Sequence, residues 1–188
     1  MRSPVRTLVA FAIVAAATPA IAQQPATQPA PSVTADLLND IGQVEKKIIA
    51  LARAIPDDKA GWRPAAGVRS VSEVIMHVAS DNYLIPAALG FPAEPSTGIK
   101  GNDYNTALAF EKRTMTKAQA IAELEKSFTF LRKSLRETGD ARLGAPASMF
   151  GQSVTMQQGW IMATTHLHEH LGQLIAYARS NGVTPPWS

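Results

Sequence analysis

Three of the chain's four histidines, His166, His168 and His170, fall within five residues, inside the stretch TTHLHEHLGQLIAY (164–177). That stretch has no proline and many good helix formers, so it reads as helix. Residues four apart on a helix lie one above the other, and His166 and His170 can therefore converge on one metal ion. His168 is carried to the opposite side by two steps of about 100° each, and is expected to face solvent. Two histidines at this spacing are half a metal site. The fourth histidine, His77, falls among Val71, Val74, Ile75 and Val78, on or beside an apolar helical stripe. A lone histidine there is more often a hydrogen-bonded core residue than a ligand. An i, i+4 pair on one helix and an inward histidine on another is, however, the arrangement that bundle-core metal sites use.

Three neutral imidazoles leave a position open on a tetrahedral or higher-coordinate ion, where a water or a substrate can bind. Such an ion lowers the pKa of its water to about 7, or deprotonates a coordinated thiol. Around the histidines, Asp81 lies one turn beyond His77 and could accept an imidazole N–H; a solvated acid is the plainer alternative. Gln173, three residues after His170, could orient a ligand or a bound water. Tyr83, Trp160 and Tyr177 could line a pocket, although aromatic residues at helical spacing are more often core. Glu169 points about 100° away from His170 and is expected at the surface.

Four amphipathic helices are available to position these groups. Leu37, Leu38, Ile41, Val44, Ile48, Leu51 and Ile55 recur at three- and four-residue steps, from Thr34 to the stop at Pro56. Ser70 and Glu73 form a capping box that opens a second helix, which Pro86 kinks or ends. Residues 91–115 read as a long connection with Tyr104 and Phe110 as anchors; its length lets the chain cross the bundle from end to end. Thr116 and Gln119 cap a third helix carrying Ile121, Leu124, Phe128, Leu131 and Leu135, ended by Gly139. Residues 140–152 read as loop, and Thr155 or Ser153 caps the fourth helix, which runs to Gly182. No strand-like alternation, internal repeat or Gly-rich phosphate loop is apparent in the sequence. The expected fold is an all-α four-helix bundle with a long crossover between helices 2 and 3.

Ahead of the bundle, MRSPVR (1–6) is basic, residues 8–17 are an unbroken apolar run, and Ala20-Ile21-Ala22 is a small-x-small cleavage site. This reads as a secretory signal peptide over residues 1–22. The run is shorter than the roughly 20 residues a membrane span needs. QQPATQPAPS (23–32) reads as a proline-rich disordered linker, and residues 33–188 as the domain. Cleavage after Ala22 removes Arg2, Arg6 and no acid, so the formal charge falls from +3 to +1. No basic cluster with interleaved aromatics remains, and the expected partners include neither nucleic acid nor, after cleavage, a membrane. The absence of cysteine excludes disulfides, thiolate ligands and a cysteine nucleophile. The expected location is periplasmic or secreted.

WRP (62–64), GVRSVSEV (67–74) and His77 resemble the entry to the second helix of the DinB-like family. His166, His170 and GQL (172–174), followed by Gly182, Val183, Pro185 and Pro186, resemble that family's C-terminal motif. The resemblance spans the chain from about Val33 to Trp187. It implies an up-down-down-up bundle, a divalent metal, zinc or nickel, held by His77, His166 and His170, and a homodimer. It also implies thiol-dependent S-transfer, as in branches that use bacillithiol or mycothiol. Export would place this chain where such reduced thiols are scarce. The sequence therefore carries two functional readings. One is a metal-dependent hydrolase or group transferase acting on a small molecule; the other is a non-catalytic bundle that holds metal or ligand.

Overall fold

Each long helix opens on a side chain that satisfies its first free amides. The computed structural model describes residues 31–188; the expected signal peptide and residues 23–30 of the linker lie outside the described residues. Ser32 caps α1 (Val33–Ala54) by accepting from the Ala35 amide. The Ser70–Glu73 capping box opens α2 (Val71–Ala88). Pro86 sits inside α2, whose last turn continues past it. A short helix, α3 (Tyr104–Glu111), starts at Asp103. Thr116 and Gln119 box the start of α4 (Lys117–Arg142), whose regular winding breaks at Gly139 (φ 58°, ψ 166°). Two four-residue strands, β1 (Pro146–Met149) and β2 (Gln152–Thr155), pair antiparallel before Thr155 caps α5 (Met156–Ser180).

Helix directions follow from which ends meet. The Thr34 amide donates to Asp140 Oδ1 (2.8 Å) and Lys117 Nζ donates to the Ile55 carbonyl (2.6 Å), so α1 and α4 are antiparallel. His168 meets Asp40 early in α1 and Trp187 lies against Lys47 further along it, so α5 runs with α1. Gly159 abuts Leu89 while His166 meets His77, so α5 runs against α2. The order is up-down-down-up. Both α4 and α5 pack against α1 and against α2, which places α1 and α2 at opposite corners. Ile41, Ile48, Leu51, Ile75, Leu84, Leu124, Phe128, Leu131, Leu135 and Trp160 fill the centre. Residues Ser32–Ser188 form one compact unit.

The connections depart from the sequence expectation. Residues 91–115, which read as connection, contain α3, and residues 140–152, which read as loop, contain β1 and the start of β2, the hairpin running on to the Thr155 cap. Four-residue strands are too short to show alternation, and the Phe150-Gly151 turn (φ 51° and 78°) supplies the left-handed pair that a tight hairpin needs. Asn102 holds the hairpin by accepting from the Phe150 amide (2.7 Å) and donating to the Ser148 carbonyl (3.3 Å). α3 docks through Ala107 and Phe110, which are buried, whereas Tyr104 at its open end is 46% exposed and is not the anchor it was read to be. The consequence for α2 is large. With α3 and the crossover over its outer face, nearly every residue of α2 is buried, including His77, Ser80, Asp81 and Asn82. Gly101 marks the closeness of this cover: a Cβ there would lie 2.3 Å from the Ala87 carbonyl oxygen.

Candidate metal centre

α2 and α5 bring His77, His166 and His170 together. His166 Nε2 stands 3.2 Å from His77 Nε2 and 3.0 Å from His170 Nε2, with ring centroids 4.4 to 5.1 Å apart. His77 is 5% exposed, while His166 and His170 are half-buried.

The outer ring nitrogens decide which way the lone pairs face. His77 Nδ1 donates to Glu111 Oε1 at 2.7 Å, and His170 Nδ1 donates to Gln173 Oε1 at 2.8 Å. These partners accept, so each ring in its neutral form keeps a bare Nε2 pointing inward. His166 Nε2 therefore faces two lone pairs, and also Asp81 Oδ2 at 3.1 Å. One proton on that nitrogen would satisfy only one of the three. A single cation among them satisfies all, and donors at these separations suit a divalent ion. Burial, reinforced by the charges of His166 and His77, pushes the His170 imidazole down to about 4, so it is neutral and able to ligate at pH 7.

An outer ring of hydrogen bonds holds the ligands. Burial raises the Glu111 carboxyl, but its bond to His77, the His77 charge and Arg69 outweigh that and hold it below the usual carboxylate range. Arg69 Nε and a terminal nitrogen reach Glu111 Oε2 at 3.3 and 3.2 Å. The Arg69 carbonyl accepts from Tyr177 Oη (3.0 Å), which in turn accepts from Gln173 Nε2 (2.9 Å). Trp62 packs edge-on against Tyr177, with centroids 5.2 Å apart. His77 and His170 are thus linked by one continuous chain of contacts through Arg69. Asp81 is driven up by burial and brought below its ordinary value by the His166 hydrogen bond, the charges of His77 and His166, and Ser80.

Other sequence candidates are placed elsewhere. Tyr83 donates to Glu123 (3.0 Å) and lines a cavity of about 600 Å³ between α2, α4 and the crossover, with no histidine in its wall. Trp160 is fully buried in the core, with its indole N–H on Thr138 Oγ1 (3.0 Å), and lines no part of the centre. His168 is half-exposed and meets Asp40 on α1 (2.9 Å); Glu169 is exposed. Glu111 and Arg69 were not singled out from the sequence. Glu111 belongs to a helix read as loop, and nothing local connects it to a histidine 34 residues earlier.

The profile described as "DinB superfamily" matches residues 41–174, a span that includes all three histidines. The chain belongs to the DinB superfamily. Among solved structures, a DinB-like protein from Bacillus cereus shares 16% identity at a TM-score of 0.68, covering 82% of this chain and 96% of that one. YfiT from Bacillus subtilis, described as a probable metal-dependent hydrolase with an unusual four-helix bundle topology, shares 16% at 0.62, covering 86% and 94%. The mycothiol-dependent maleylpyruvate isomerase shares 14% at 0.59, covering 75% of this chain and 60% of that one. At such identities the likeness is one of fold. No curated protein matches the chain. Within the DinB fold seen here, the three histidines form a group that could hold a metal ion.

Proposed function

We propose that this DinB-superfamily protein is exported, binds one divalent metal ion through His77, His166 and His170, and uses it to hydrolyse a small molecule or transfer a group from it. The observation that carries the reading is the set of three inward Nε2 atoms, two of them stripped of protons by acceptors on their outer nitrogens. The description of YfiT as a metal-dependent hydrolase supports the same class of chemistry. A divalent ion in such a place supplies a Lewis acid that polarises a carbonyl or makes a bound water acidic. Glu111 and Gln173 orient two imidazoles and keep their inner nitrogens unprotonated, while the half-buried His166 and His170 leave an approach from solvent. Export rests on the sequence of residues 1–22.

Metal analysis of the mature protein tests the first part. The wild type is expected to carry one ion, lost in each of His77→Ala, His166→Ala and His170→Ala; undiminished metal in all three would refute it. Chelator-sensitive turnover of an ester and thiol-adduct panel tests the second, and turnover that survives chelation counts against a metal enzyme. A reporter fused behind residues 1–24 should leave the cytoplasm; retention there would refute export and favour thiol-dependent transfer of the kind the isomerase is described as using. A second reading, a bundle that holds its metal without turnover, draws support from the Asp81 carboxylate standing beside two of the imidazoles.

A further inference from the structure

We infer that Asp81 is a fourth donor to the same ion, so that the centre consists of three imidazoles and one carboxylate. The inference rests on the metal reading of the three histidines. What sets Asp81 apart from the other nearby acid is the nitrogen it faces. Glu111 meets the outer nitrogen of His77, as a carboxylate that orients a ligand does. Asp81 instead faces inner nitrogens, with Oδ2 at 3.1 Å from His166 Nε2 and 3.7 Å from His77 Nε2.

Donors 2.0–2.2 Å from a common ion stand about 3.3–3.6 Å apart at the corners of a tetrahedron and about 2.8–3.1 Å apart along the edge of an octahedron. The imidazole separations of 3.0 and 3.2 Å and the two carboxylate separations fall at or close to these lengths. Asp81 is 7% exposed, and its other oxygen lies 3.3 Å from Ser80 Oγ, whose shorter bond is to the His77 carbonyl at 2.9 Å. Glu111 is excluded from the same role because Oε1 is engaged by His77 and Oε2 by Arg69. A four-donor protein set closes a tetrahedral ion and leaves exchangeable positions only on an ion that takes five or six ligands. Asp81 thereby decides which metals can bind a further molecule at this centre.

Cobalt(II) loading of the mature protein tests this, read by competition with a chromophoric chelator and by the ligand-field absorption band. Loss of an outer partner already costs 10- to 100-fold in affinity, so Asp81→Ala is expected to weaken cobalt binding by about 100-fold or more and to shift the band. An affinity within about twofold of wild type (about 0.4 kcal/mol) and an unshifted band would overturn the fourth donor. A crystal structure of the unmodified cobalt protein is independent of how the variant folds: Oδ2 within about 2.3 Å of the ion is expected, and Asp81 turned away from it overturns the inference. If His166→Ala abolishes binding while Asp81→Ala leaves the affinity within about twofold of wild type, only the fourth donor fails. A wild type that takes up no cobalt overturns the three-histidine reading and this inference with it.

Discussion

Glu111→Gln removes one charge from the outer ring and leaves its shape nearly unchanged. In the native protein the Glu111 side chain is 10% exposed; Oε1 meets His77 Nδ1 at 2.7 Å and Ser80 Oγ at 3.3 Å, and Oε2 meets Arg69 at 3.2 and 3.3 Å. A glutamine has one acceptor oxygen. If it keeps His77, its amide N–H groups face the Arg69 guanidinium, donor against donor; if it turns over, His77 Nδ1 loses its acceptor and the inner nitrogen is free to take the proton. Either outcome strips the charge-assisted bond that makes His77 a better ligand. Loss of such an outer partner costs about 10- to 100-fold in metal affinity, or about 1.4–2.7 kcal/mol. Chelator competition at pH 7, with helix content checked by circular dichroism, measures it. The acid limb of stability gives a second readout. The native Glu111 carboxyl lies below its unfolded value, so its contribution is present above the ordinary carboxylate range and lost as pH falls through the folded value. Glu111→Gln should flatten that limb in the metal-free protein. An affinity within about twofold of wild type, in a protein whose His166→Ala variant binds no metal, would refute the argument.

His170 titrates at about 4 in the folded protein, below the ordinary histidine value of 6.5. The unfolded chain therefore holds more protons between these values, and the metal-free protein should lose stability as pH falls from about 6.5 to about 4, by urea unfolding across that range. His168→Ala should change neither metal content nor stability by more than about 0.5 kcal/mol, since its pair with Asp40 is half-exposed on both sides. Trp160→Ala should cost about 3–5 kcal/mol and lower the melting temperature by roughly 10 °C, because it empties the centre of the core and takes the donor from Thr138. Gly101→Ala should destabilise by about 1–3 kcal/mol, because backbone rather than a flexible side chain blocks the new methyl. It should also weaken metal binding by shifting α3, and with it Glu111; calorimetry and chelator competition on the one variant separate the two effects.

The long helices were legible because their signals are local. A capping box spans four residues and an apolar stripe repeats every three or four, so the Ser70–Glu73 and Thr116–Gln119 boxes appear in the structure where the sequence places them; of the two caps the sequence offers α5, Thr155 is the one used, boxed with Gln158. The pairing of His166 with His170 is equally local, since one turn of helix enforces it. α3 and the hairpin were missed because elements of eight and four residues are too short to establish a period. Their contacts, Phe110 in the core and Asn102 on the Phe150 amide, are made at long range.

What the sequence alone determined is the four long helices, the inward-facing histidine pair and the candidacy of His77. Each follows from residue type and helical spacing within a few turns. Tertiary structure decided the rest. Folding α3 over α2 turned an amphipathic helix into a buried one, brought Glu111 to the outer nitrogen of His77, and set Asp81 against the inner nitrogens of two histidines. It also sent Tyr83 to a separate cavity and Trp160 into the core. The reason is geometric: helical spacing specifies which side of its own helix a residue occupies, whereas the neighbour on that side is chosen by packing between segments far apart in the chain.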